Sequence, residues 1–102
     1  MRETEYRASR LCRVLGNPIA YQILKALGHN KKRPLELARS LRRGPSTIST
    51  HLRALKLIDL VRYETKAGKR GGREAIYWIK DPLISDLLKH LETFVEHTRK
   101  MG

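Results

Sequence analysis

Gly44-Pro45-Ser46-Thr47-Ile48-Ser49-Thr50-His51-Leu52-Arg53-Ala54-Leu55-Lys56 is the stretch on which the fold turns. Proline just inside a helix start is pre-organised there, because its missing N–H has no intrahelical partner to lose. Ile48, Leu52 and Leu55 then recur at i, i+4 and i+7, which is one helical face. With that face inward, 100° per residue turns Ser46, Ser49, Thr50 and Arg53 outward. The sequence therefore predicts a helix over Gly44–Lys56 with an apolar side and a side of short hydroxyls and one arginine.

Working upstream, Pro34 opens a shorter helix carrying Leu35, Leu37, Ala38 and Leu41, and Gly44-Pro45 separates it from the first. Two short helices joined by a tight turn form a helix-turn-helix. Before them, Asn17-Pro18 reads as an N-cap followed by proline at the first helical position, and Gly28 stands where a helix-terminating glycine belongs. Ile19, Ala20, Ile23, Leu24 and Leu27 make one face of that segment. Tyr6–Leu15 reads as a helix of ambiguous amphipathicity.

Downstream of Asp59 the apolar period falls to two. Leu60–Thr65 and Glu74–Ile79 read as strands, with Lys66-Ala67-Gly68-Lys69-Arg70-Gly71-Gly72-Arg73 as a long basic hairpin tip. Asp81-Pro82 starts a last helix whose Leu83, Ile84, Leu87, Leu88, Leu91, Phe94 and Val95 form a continuous stripe. The expected fold is mainly α with a small β-hairpin: a winged helix-turn-helix in the order α-α-α-α-β-β-α. We read residues 1–102 as one domain, with residues 15–79 as a DNA-binding core. Residues 6–15 and 81–100 are then dimerisation helices, because the last stripe is too large for a terminal helix to leave in water. Leu11, Leu83, Leu87, Leu88, Leu91, Phe94 and Val95 are the expected interface.

Charge gives the partner class. The chain has 22 Lys and Arg against 10 Asp and Glu, a net +12, which attracts polyanions. Its placement is uneven. Lys31, Lys32, Arg33, Arg39, Arg42, Arg43, Arg53 and Lys56 face one acid, Glu36, over that stretch, and the hairpin tip adds Lys66, Lys69, Arg70 and Arg73 with none. Asp81–Gly102 instead holds four acids and three bases. The excess lies where a duplex docks against a helix-turn-helix and its wing. No apolar run approaches the ~20 residues of a membrane span, and none after Met1 reads as a signal peptide. The lone Cys12 can form no intrachain disulfide, so a cytoplasmic protein is expected.

Leu15-Gly16-Asn17-Pro18-Ile19-Ala20-Tyr21-Gln22-Ile23-Leu24, Glu36-Leu37-Ala38, the run Ser46–Leu55 and Leu60-Val61 together resemble the arsenic-repressor-like (ArsR) winged-helix regulators. The resemblance spans roughly Leu15 to Ile79. It implies a homodimer held by the first and last helices, and a recognition helix that reads bases through Ser46, Thr47, Ser49, Thr50 and Arg53. Arg42, Arg43, Lys56, Lys66, Lys69, Arg70 and Arg73 are the expected phosphate contacts. Two departures stand out. Arg42-Arg43-Gly44-Pro45 replaces a glycine, an apolar residue, a hydroxyl cap and a polar residue, and Asp59 stands where a glycine ends the recognition helix.

The positions of the family's thiolate ligands hold Arg33 and Leu35, and His90 and His97 alone offer too few ligands for a closed zinc site. No metal or other cofactor is expected, and any effector is unspecified. His51 reads as a packed histidine, Cys12 as a small interface or core residue and Trp78 as core. There is no nucleophile–base–acid set and no phosphate-cradling glycine loop after a strand, so an enzyme is not expected. The expected function is a sequence-specific double-stranded DNA-binding transcription regulator, a repressor acting as a homodimer on an inverted repeat. The alternative is an RNA- or protein-binding module of a nucleoprotein assembly; single-strand RNA readers present aromatic platforms, which these basic stretches lack.

Overall fold

In the computed structural model, which describes residues 2–68 and 71–101, the chain runs α1 (Glu3–Leu15), α2 (Pro18–Leu27), α3 (Pro34–Leu41), α4 (Pro45–Leu57), β1 (Val61–Ala67), β2 (Arg73–Ile79) and α5 (Leu83–Met101). The expected order is the observed one. Asn17 caps α2 by accepting from the backbone N–H of Ile19 and Ala20 at 2.9 and 3.1 Å, directly ahead of Pro18. Gly28 leaves the helix at φ 52°, a conformation open to glycine at little cost. At the start of α5, Asp81 accepts from the N–H of Leu83.

Two elements are longer than expected. Helix α1 begins at Glu3 rather than Tyr6, because Glu3 and Glu5 suit a helix N-terminus and Arg7 pairs with Glu3 at 2.7 Å one turn on. The hairpin pairs from Val61↔Ile79 out to Ala67↔Arg73, so Lys66 and Arg73 are strand residues and the tip shrinks to the turn closed by Gly68 N–H donating to Gly72 at 2.9 Å. Gly71 and Gly72, at φ 79° and 73°, supply the left-handed backbone this turn requires.

Helix α2 is the centre of the core. Its Ala20, Ile23, Leu24 and Leu27 pack with Leu37 and Ala38 of α3, Ile48, Leu52 and Leu55 of α4, Val61, Tyr77 and Ile79 of the hairpin, and Ile84 and Leu88 of α5. Fully burying one such aliphatic side chain stabilises by about 1.5–3 kcal/mol. Helix α1 buries no residue outright and lays Leu11, Val14 and Leu15 on this core. Leu35 lies half exposed on α3, because the helix turns only Leu37 and Ala38 fully inward.

The wing has a third, unexpected partner. Lys32 and Tyr77 exchange two backbone hydrogen bonds, at 2.9 and 2.8 Å, so the turn between α2 and α3 adds one residue of sheet to β2. Arg33 strengthens the joint by donating from Nε to Glu74 at 2.5 Å. The hairpin is thereby fixed to the helix-turn-helix at its root.

Candidate nucleic-acid interface

The turn between α3 and α4 sets the angle of the recognition helix. Arg42 sits there at φ 54°, ψ 46°, so the left-handed turn is kept although the residue is not glycine. Arg43 N–H donates to the Ala38 carbonyl at 3.0 Å, and the Gly44 carbonyl accepts from Ile48 at 3.1 Å. Gly44 takes the N-cap place with no side-chain cap, and Pro45 follows. Helix α4 is pinned from beneath by Ile48, Leu52 and Leu55, all essentially without solvent exposure.

On its other side Ser46, Thr47, Thr50 and Arg53 are exposed, and Ser49 is half-buried at the edge of the face. The Thr50 hydroxyl donates to the Ser46 carbonyl at 2.9 Å. That bond commits its proton within the helix and leaves its lone pairs and methyl group facing out. Asp59 ends the segment at φ 64° and pairs with Lys80, which holds the left-handed residue in place of a glycine. The Asp59 carboxyl lies below the usual carboxylate range, chiefly through that hydrogen bond from Lys80.

The basic surface is narrower than composition suggests. Glu64 takes Lys31 and Lys66 at 3.6 and 3.5 Å, while Arg33 is held between Glu36 and Glu74. The Lys31–Glu64 and Arg33–Glu74 pairs cross between segments far apart in sequence, while Lys66–Glu64 and Arg33–Glu36 are local. Arg42, Arg53, Lys56 and Arg73 make no ion pair with any described residue; Arg43 is in the same position and donates to Gln22 at 3.4 Å. Lys69 and Arg70 lie outside the described residues. Sequence reading missed Arg62, exposed on β1, and the contact of Lys56 with Tyr63. The alternation of β1 was the available signal for Arg62.

The other expected sites lie apart from this face. On α5, Leu83, Phe94 and Val95 are 68%, 66% and 58% exposed, with Leu91 exposed and Leu87 half-buried beside them. Leu88 differs: it is buried in its own chain's core and cannot offer its side chain to a partner. Leu11 is half-buried against the core. Cys12, His90 and His97 are exposed, His51 is half-buried between α4 and α1, and Trp78 is half-buried beneath the Lys31 ammonium, 4.6 Å from its ring centre.

A helix-turn-helix flanked by an anchored wing defines the class: a winged-helix DNA-binding protein. The profile described as bacterial regulatory protein, arsR family, matches residues 17–63, from the cap of α2 into β1. Over that stretch, just under half of the chain, the sequence is similar to that family, and match and fold together mark a DNA-binding transcription regulator. Solved structures share the whole fold. Rv0081 from Mycobacterium tuberculosis is 20% identical with a TM-score of 0.80, over 98% of this chain and 96% of that one. Reduced HlyU from Vibrio cholerae is 23% identical with a TM-score of 0.75, over 90% and 92%. The homodimeric winged helix-turn-helix DNA-binding domain of Mb0332 from Mycobacterium bovis is 22% identical with a TM-score of 0.73, over 91% and 82%. No curated protein matches the chain. Among the described residues no helix is long and apolar enough to cross a membrane.

Proposed function

We propose that the protein is a cytoplasmic repressor that binds an inverted repeat in duplex DNA as a homodimer, without a metal or cofactor. The observation that carries this reading is the outward face of α4, where four exposed polar side chains stand on a helix immobilised from below and bordered by cations with no acidic partner among the described residues. Residues 15–79 form the DNA-binding core, and residues 6–15 and 81–100 the dimerisation helices. Ser46, Thr47, Ser49, Thr50 and Arg53 read base edges. Short hydroxyls allow close approach to the major groove, and an arginine suits the paired acceptors of guanine. Thr50 meets the base as an acceptor or through its methyl group. Arg42, Arg43, Lys56, Lys66, Lys69, Arg70 and Arg73 contact phosphates, with Lys66 the weakest contributor because Glu64 competes for it.

The dimer is supported by the exposed apolar residues of α5 and by the homodimeric state of the Mb0332 domain. The two-fold axis generates the inverted repeat. A titration against duplex DNA, duplex RNA and single strands tests the reading. Tight binding confined to duplex DNA, competed poorly by the others, is the expected result. Preference for either RNA form, or no binding to any of them, overturns it.

A further inference from the structure

Between α4 and the wing, one aromatic side chain is held on two sides. Tyr63, in β1, stacks on Tyr77 with ring centres 5.2 Å apart and planes tilted 31°. Tyr77 is itself buried, and both its backbone N–H and its carbonyl bond to Lys32 on the strand edge away from Tyr63. The Lys56 ammonium, from the last turn of α4, lies 4.8 Å from the centre of the Tyr63 ring. Tyr63 nevertheless remains 41% exposed, and its hydroxyl makes no hydrogen bond among the described residues. A ring fixed in this way presents its hydroxyl from a nearly constant position.

We propose that Tyr63 and Lys56 form a composite seat for one phosphodiester of the duplex backbone, where it passes between the recognition helix and the wing. The ammonium supplies the charge and the phenol hydroxyl donates the orienting hydrogen bond. The assignment rests on the reading of the chain as a DNA-binding protein, and adds a residue that charge alone does not reveal.

Three features favour a phosphate over a base or a protein carboxylate. The seat lies at the C-terminal end of α4, away from the hydroxyls of its first turns, and helices of this kind present their N-terminal residues to bases. The neighbouring acid on β1, Glu64, points to the opposite side of the strand and is occupied by Lys31 and Lys66, so it does not compete. A cation resting on an aromatic face keeps its outward N–H groups free for an anion while losing side-chain freedom in advance. Arg53 reinforces the positive field; its charge opposes the upward push that burial, and then Tyr63, exert on the Tyr77 hydroxyl.

The test compares the full-length chain with Tyr63→Phe, Tyr63→Ala and Lys56→Ala, each bound to a selected operator and to an unrelated duplex over a range of salt. Tyr63→Phe keeps the ring and removes only the donor. It is expected to weaken both duplexes alike, by about tenfold, the lower end of the cost of one hydrogen bond to a charged group. Its salt slope stays that of the parent, because a neutral group releases no counterion. Lys56→Ala is expected to weaken both and flatten the slope by roughly one unit. Tyr63→Ala combines both losses, since the ammonium loses its platform. A Tyr63→Phe variant that binds both duplexes as the parent does overturns the seat while leaving the DNA-binding reading intact, and so does a loss confined to one sequence. A parent protein that binds no duplex overturns both.

Discussion

The Tyr21 hydroxyl on α2 donates to the Glu92 carboxylate on α5 at 2.6 Å, and Lys25 of α2 pairs with the other oxygen of the same group. This one carboxylate ties the centre of the DNA-binding core to the helix proposed to hold the dimer. Glu92 is held below the ordinary value of 4.5, first by the hydrogen bond from Lys25 and then by that from Tyr21. Tyr21 is pushed up to about 12 from 10, first by burial and then by the bond to Glu92.

The two shifts give opposite limbs of a stability profile. Glu92 has a depressed folded pKa, so its contribution is present above the unfolded value of 4.5 and is lost as pH falls through the lower folded one. Tyr21 has a raised folded pKa, so its contribution is present below pH 10 and is lost as pH rises through about 12. Glu92→Gln is expected to lower the melting temperature at neutral pH, with the difference from the parent narrowing below pH 4.5. Melting curves between neutral pH and the acid limb decide it. A difference that stays constant across that range would show that the carboxylate charge contributes nothing.

Arg42 sets up a trade between stability and binding. A non-glycine residue in the left-handed region costs roughly 1–2 kcal/mol, and glycine there regains part of this after its looser unfolded chain is counted. Arg42→Gly is expected to stabilise by about 0.5–1 kcal/mol, a rise of a few degrees in melting temperature for a domain of this size. The same change removes a proposed phosphate contact and should weaken binding to every duplex. Asp59→Gly is expected to gain less, because it also breaks the pair with Lys80. Calorimetry on the two variants checks the order. An Arg42→Gly protein that melts below the parent rules out backbone strain at this turn.

Local signals made most of the fold legible. Asn17-Pro18 and Gly28 bound α2, and Ile48, Leu52 and Leu55 point inward because a single helix imposes that spacing. What escaped is long-range. Lys31 and Arg33 read as free cations until folding brings Glu64 and Glu74 beside them. The Lys32–Tyr77 bridge and the Lys56–Tyr63 contact each join residues whose nearness only the tertiary fold decides. Leu88 belonged to the right stripe but faces its own core, because Ile84 and Leu88, one turn apart, share the face of α5 that packs on the body while Leu83 and Phe94 stay out. An amphipathic pattern says that a face is buried, not against which chain.

That division of α5 predicts two kinds of variant. Phe94→Asp alters a residue with no role in the core and should convert the dimer to a folded monomer. Leu88→Ala should instead cost about 2–5 kcal/mol of stability, as truncation of a buried leucine does. Sedimentation and thermal melting separate the two. A parent chain that sediments as a monomer at tens of micromolar overturns the proposed dimer.

The base-reading role proposed for Arg53 would tie the geometry of α4 to sequence choice. It stands exposed one turn beyond Thr50, on a helix whose Ile48, Leu52 and Leu55 leave it no freedom to roll. Its five N–H donors form a rigid fork that matches guanine O6 and N7. Nothing in the described residues pairs with it, so in the proposed role it would reach the duplex unspent. Two copies related by a two-fold axis place two such forks in successive major grooves, about 34–36 Å apart. Selection from random duplexes should therefore return an inverted repeat with half-sites about one turn apart and a guanine at one fixed place in each. Arg53→Ala is expected to cost about 1–3 kcal/mol on that site and to relax the preference at that position alone. Its salt slope should fall less than that of Arg42→Ala, because a base contact neutralises no phosphate. Ile48→Ala, by contrast, should act through stability and leave the preferred sequence unchanged. A selected site without dyad symmetry, or an Arg53→Ala protein with the parent's affinity and preference, would assign the reading of sequence to another element.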